Sequence, residues 1–146
     1  MLYNLYHMKI VRHEENKYIL RFERGEELIK QLQKFCRDQK IQAGYFSGIG
    51  AASEVVLSSF DIQKKEYRDK ILTGDIETSG LIGNVSVLGS EIVIHAHGAF
   101  SDEKFRVYAG HVKKIVISVT GEIMLEKLAG KIERKLDQQT GLNLLG

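Results

Sequence analysis

From Gln42 onward the chain is a succession of short runs rich in Val, Ile, Phe, Tyr and Thr, and the breaks between them are too short to hold a crossover. Branched and aromatic side chains favour extended backbone, whereas parallel neighbours need about a dozen residues or more between them. The segments 62–65, 89–90 and 101–104 fit only tight reversals, so hairpins and a mainly antiparallel sheet follow. The spacing predicts strands over 43–49, 54–61, 66–72, 77–88, 91–100, 105–113 and 115–125, preceded by a strand over 17–22.

One segment has a different period. Gly25, Glu26 and Glu27 open a predicted helix running to about Gln39, with acids placed in the first turn. Leu28, Ile29, Leu32, Phe35 and Cys36 form one apolar stripe, while Lys30, Lys34 and Arg37 lie off it. A long helix packed on a twisted antiparallel sheet, an α+β variant of the α/β class, is the expected architecture. The stretch 126–146 mixes basic and apolar residues, and Asp137 to Gly141 reads as a turn or short helix ended by glycine.

A chain of 146 residues is the size of a single domain. Its core is expected over about 17–145, with 1–16 as an N-terminal extension. Apolar residues at 43% and charged residues at 27% match an ordinary globular protein. No apolar run reaches the roughly 20 residues of a membrane span, and 1–12 lacks the apolar stretch of a signal peptide. A cytoplasmic location without a membrane partner is expected. The single cysteine, Cys36, has no internal partner and sits on the apolar helix stripe, so it reads as a core thiol. A net charge of +2 neither demands nor forbids nucleic acid.

The most pointed chemical feature is the segment His95-Ala-His97. On a strand the two imidazoles project from one face, roughly 7 Å apart, and can converge on one ion. His111 lies on the next predicted strand. If Phe100 faces Arg106, His111 falls opposite His95 on the same face. If Phe100 instead faces Phe105, His111 turns to the other face unless a bulge at Ala109-Gly110 restores the parity. Three histidines without a fourth protein ligand would leave an open coordination position. Equally, histidines can sit on a sheet as packing or interface residues with no metal. His7 and His13, in the polar N-terminal region, read as surface residues.

Other candidates are weaker. Gly44 to Ala52 contains three glycines but leads into a strand rather than a helix, and reads as a strand-to-strand turn rather than a phosphate loop. Glu77 and Glu122 lie within apolar strand segments, where each is either a carboxylate behind a metal site or a solvent-facing residue. The basic residues Lys64, Lys65, Arg68 and Lys70, and again Lys127, Lys131, Arg134 and Lys135, are interleaved with acids and read as solvated mixed faces.

Taken together, Arg24-Gly-Glu26, Phe46-Ser-Gly-Ile-Gly50, Gly74-Asp-Ile-Glu77, Leu81-Ile-Gly83-Asn84, His95-Ala-His97, Gly110-His111, Thr120-Gly-Glu122 and Thr140-Gly-Leu142 resemble the plants-and-prokaryotes-conserved (PPC) domain family. The resemblance covers about Tyr18 to Leu145. It implies an antiparallel α/β fold assembled as a homotrimer, a divalent metal ion with zinc expected on His95, His97 and His111, and a regulatory or scaffolding role that includes DNA association. Plant members carry an Arg-Gly-Arg-Pro hook for A·T-rich minor groove, and this chain has neither that segment nor any proline. The other function compatible with the same residues is a metal-dependent enzyme or small-molecule binder, with Glu77 or Glu122 assisting proton transfer.

Overall fold

The structure is a computed structural model, and it describes residues 7–146. The elements are β1 (Lys9–Glu14), β2 (Lys17–Phe22), α1 (Leu28–Asp38), β3 (Gly44–Asp61), β4 (Glu66–Leu88), β5 (Glu91–Ser101), β6 (Val107–Lys127), β7 (Arg134–Leu136) and β8 (Asn143–Leu145). Six strands form one sheet in the order β1-β2-β6-β3-β4-β5, and β6 also pairs with β5. That extra pairing makes β3, β4, β5 and β6 a closed circuit. All the sheet pairings are antiparallel, as the short connections require. Among the described residues, no helix is long and apolar enough to cross a membrane.

Three expected breaks are absent, and each is a bulge inside a longer strand. The runs 66–72 and 77–88 are both part of β4: Glu54 faces Thr73 and Ala52 faces Ile76, so an irregularity takes the place of a turn. Gly74 there has φ +111°, a conformation that favours glycine. The runs 105–113 and 115–125 are likewise joined in β6, where Val56 faces Lys114 and Leu57 faces Val112.

The glycine-rich segment 44–52 is also strand rather than turn. Its glycines let β3 and β6 approach closely: a Cβ on Gly50 would lie 2.1 Å from the Thr120 carbonyl oxygen, and one on Gly48 would lie 2.6 Å from that of Glu122. Residues 9–14, expected within an N-terminal extension, add an exposed edge strand beside β2.

The helix begins at Leu28, later than expected, because Glu27 is extended and caps it. The Glu27 carboxylate accepts from the Ile29 and Lys30 N–H groups at 3.1 and 3.0 Å, and from the Ile115 N–H of β6 at 3.1 Å. The cap therefore fixes the helix to the sheet as well as starting it. Leu28, Leu32, Phe35 and Cys36 are buried. They share one core with Leu20, Phe22, Phe46, Ile123 and Leu125. The helix covers one face of the sheet and leaves the other face open.

At the C-terminal end, β7 and β8 form a hairpin whose turn includes Gly141 at φ +74°. The Asp137 carboxylate accepts from the Thr140 N–H and hydroxyl. The segment is tied to the sheet by Val87 N–H to Ile132 carbonyl, 2.8 Å, and Ile132 N–H to Gln42 carbonyl, 3.1 Å.

Candidate metal centre

Alternation along β5 puts Ala96 in the core, 1% exposed, and His95 and His97 on the opposite face. His111 comes to the same face from β6, where it lies opposite His97 rather than His95. The structure pairs Phe100 with Tyr108, two residues beyond the Phe100–Arg106 register considered from the sequence. A two-residue shift preserves parity, so the side chain keeps its face.

The connecting loop explains the shift. The Asp102 carboxylate accepts from the Lys104 and Arg106 N–H groups, and Phe105 takes a left-handed φ of 60°. No bulge at Ala109-Gly110 is needed, since both pair regularly with β5.

One nitrogen from each of the three imidazoles lies within 4.8 Å of the other two. Ring centroids are 5.3 Å apart for His95 and His97, 5.2 Å for His95 and His111, and 5.5 Å for His97 and His111. Zinc binds imidazole nitrogen at about 2.0–2.1 Å, so side-chain rotations of about an ångström are enough to bring the donors onto one ion.

Among the described residues, none of these rings makes a hydrogen bond, unlike His13, whose Nε2 lies 2.9 Å from the Glu15 carbonyl. Histidines that serve only as packing groups normally have such partners. Burial pushes the His95 pKa down, helped by the Arg134 charge and by His97. Burial likewise pushes His111 down to about 4, with smaller contributions from His95, His97, Lys113 and Arg134. Neutral imidazole is the form that ligates a metal. The donor set, its convergence and the lowered pKa values of His95 and His111 all fit a divalent ion.

His95 and His97 open onto a cavity of about 520 Å³ lined also by Tyr45, Ser47, Ile82 and Asn84. Glu77 and Glu122 do not belong to the convergent donor set. Both are exposed, and they share a separate cleft with Ile49 and Val119. Both carboxylates point to the open face of the sheet, as the histidines do, but line this separate cleft rather than the one that His95 and His97 open onto. Cys36 is a buried core thiol. His7 and His13 are exposed, with His13 stacked on Tyr18.

Arg134 was read from the sequence as part of a solvated mixed face, and the structure puts it beside the histidines instead. Its Nη2 donates to Asn84 Oδ1 at 2.9 Å, its Nε to Ser86 Oγ at 2.7 Å and its Nη1 to the Asn143 carbonyl at 2.9 Å. Asn84 faces His95 across the β4–β5 ladder. No local pattern signals this placement, because it depends on how the β7–β8 hairpin folds back.

A sheet of this topology carrying this histidine constellation defines a recognisable class. The chain belongs to the Plants and Prokaryotes Conserved (PCC) domain family, also abbreviated PPC, whose profile it matches over residues 11–129. It is similar in structure to a Bacteroides thetaiotaomicron protein provisionally classed as DNA-binding, with TM-score 0.89 and 30% identity, covering 92% of this chain and 94% of that one. A metal-containing protein of Archaeoglobus fulgidus matches with TM-score 0.84 and 32% identity, covering 94% and 97% respectively. A plant- and prokaryote-conserved protein of Pyrococcus horikoshii matches with TM-score 0.83 and 32% identity, covering 95% and 94%. Among curated proteins, the chain is 32% identical over 127 residues to a bifunctional GlmU protein of Synechococcus, and it spans only 19% of that relative's length.

Proposed function

We propose that this chain is a single-domain, homotrimeric PCC protein that holds one divalent ion, zinc being expected, on His95, His97 and His111 and binds a small ligand at the ion's open position. The observation that carries this reading is the convergence of three imidazoles, free of hydrogen bonds, from two adjacent strands. The relative from Archaeoglobus fulgidus, described as metal-containing, supports it. A bound ion would supply a Lewis-acidic position or an activated water. His95, His97 and His111 orient it, and Ala96 and the core behind it hold β5 rigid. Glu77 and Glu122 lie outside the convergent donor set, so proton transfers at the ion itself would fall first to its own water or to the ligand.

Elemental analysis of purified, untagged protein beside His95→Ala and His111→Ala tests the reading, with oligomer mass recorded on the same samples. About one ion per subunit, lost from both variants, is the expected result. An intact wild-type oligomer without metal, prepared in zinc-containing buffer, would reduce the histidines to packing residues.

A second reading is DNA association, in keeping with the regulatory or scaffolding role and cytoplasmic location expected from the sequence, and its DNA part is favoured by the relative from Bacteroides thetaiotaomicron. On this chain many basic residues are already engaged: Lys113 with Asp69 at 2.8 Å, Lys131 with Glu133 at 2.6 Å and Lys70 over the Tyr108 ring at 4.9 Å. A DNA complex should therefore show a shallow dependence of affinity on salt, since that slope counts phosphates neutralised by free cations.

A further inference from the structure

One cation beside the histidine centre, Arg134, has no carboxylate partner among the described residues. Arg134 is half-buried, and its three hydrogen bonds all go to neutral acceptors: an amide oxygen, a hydroxyl and a backbone carbonyl. Among the described residues no carboxylate pairs with it. Partly buried guanidinium groups are normally compensated by an acid, and the acids nearest in the sequence are committed or remote. Glu133 pairs with Lys131, and the Asp137 carboxylate caps its own turn at Thr140.

The three contacts leave two guanidinium hydrogens unused. They also fix the plane of the group. Asn84 is the link to the metal centre, because residues opposed on neighbouring strands have Cβ atoms about 4.5–5.5 Å apart. Arg134 is bonded to Asn84, and Asn84 is opposed to His95. Asn84, His95 and His97 line the same open cavity.

We propose that Arg134 anchors a small oxyanion, a carboxylate or phosphate group, against the open position of the ion held by His95, His97 and His111. This rests on the metal reading above and names the ligand class for that site. A divalent ion beside a guanidinium that lacks a carboxylate partner leaves a positive pocket on the Arg134 side, because Asp69, the acid near His111, is already engaged by Ser58 and Lys113. An oxyanion answers both demands, giving one oxygen to the ion and others to the planar N–H fork. The β7–β8 hairpin gains a role from this: it delivers Arg134 to the site, held there through Val87 and Gln42.

The test uses full-length wild type, Arg134→Gln and Arg134→Lys, each loaded with cobalt(II), whose visible bands report its coordination. Inorganic phosphate and oxalate are titrated in separate arms, and the tighter one identifies the ligand chemistry. The wild type should show saturable band changes. Arg134→Gln should keep its cobalt and bind the anion at least about tenfold more weakly, the loss expected for a charge-assisted hydrogen bond. Arg134→Lys should fall between them, because it keeps the charge and gives up the fork. If Arg134→Gln fails to fold by circular dichroism, Arg134→Lys decides alone, with a several-fold loss expected.

Cobalt retained with anion affinity unchanged in the variants would overturn the proposal and leave the metal reading standing, with Arg134 a clamp for the hairpin. Cobalt retained by a wild type that binds neither anion would overturn it too. A wild type that does not retain cobalt removes the metal reading, and this proposal with it.

Discussion

His111 couples the candidate site to stability. In the unfolded chain its imidazole titrates near the ordinary 6.5, and in the fold burial brings it down to about 4. Between those values the unfolded state binds more protons than the native one, so the native state is favoured above pH 6.5 and loses that advantage as pH falls toward 4. Metal-free protein should therefore melt at progressively lower temperature across that window, and more steeply than a His111→Asn variant, which has no proton to take up there. Parallel melting curves against pH for the two proteins would show that His111 is not held neutral by the fold. The Cys36 thiol behaves analogously. Burial pushes it up to about 12, so at pH 8 the native protein should resist thiol reagents that label it fully in denaturant. Rapid labelling without unfolding would mean the helix stripe is not packed as described. Cys36 and the helix stripe were readable from the sequence because period and polarity agree over three turns. The histidine triad was readable as a set of candidates, since a strand places residues two apart on one face, but its register was not. That depends on how Asp102 folds the loop before β6.

At the scale of elements, the sequence conveys kind better than extent. The helix and the antiparallel pairing were legible because hydrophobic period and connection length act locally. The long strands were not, because Gly74 and the irregularity near Lys113 look like turn signals in one dimension and are bulges in three. The 44–52 segment misleads in the same way: its glycines serve close packing of β3 on β6 rather than a reversal. That account is testable. Gly50→Ala would force a methyl group to within 2.1 Å of the Thr120 carbonyl, and it should lower stability by more than about 2 kcal/mol in urea unfolding. Gly80→Ala, at a position where nothing lies within 4 Å of an added Cβ, should change stability by less than about 0.5 kcal/mol. Equal effects at both positions would remove close strand approach as the reason for glycine at 50. Arg134 lies beyond any such local reading, because its acceptors, Asn84 and Ser86 on β4 and Asn143 on β8, come together only when the β7–β8 hairpin folds onto the sheet.

For the molecule as a whole, the sheet face away from the helix bears on assembly. Following the registers across β2, β6, β3, β4 and β5, one row reads Ile19, Met124, Ser47, Ile82, His97. Met124 is 62% exposed and Ile82 is 64% exposed, and Ile49 nearby is 58% exposed. Exposed apolar side chains gathered on one face in this way mark a surface for association, and in the proposed trimer its occupant is a neighbouring copy. The row ends at a candidate ligand, so assembly and metal binding meet at His97. Replacing Ile82 by Glu places a carboxylate in the middle of the row without disturbing the core, since that side chain points away from it. Ile82→Glu should therefore run as a monomer in light scattering under conditions where wild type runs as a trimer, with its circular dichroism retained. Because the row and the metal centre adjoin, the dissociated variant should also lose its ion to a chelator faster than wild type. A variant that stays trimeric would place the subunit contact elsewhere, whereas a monomer holding its ion as firmly as wild type would show that each subunit's three histidines bind independently of assembly.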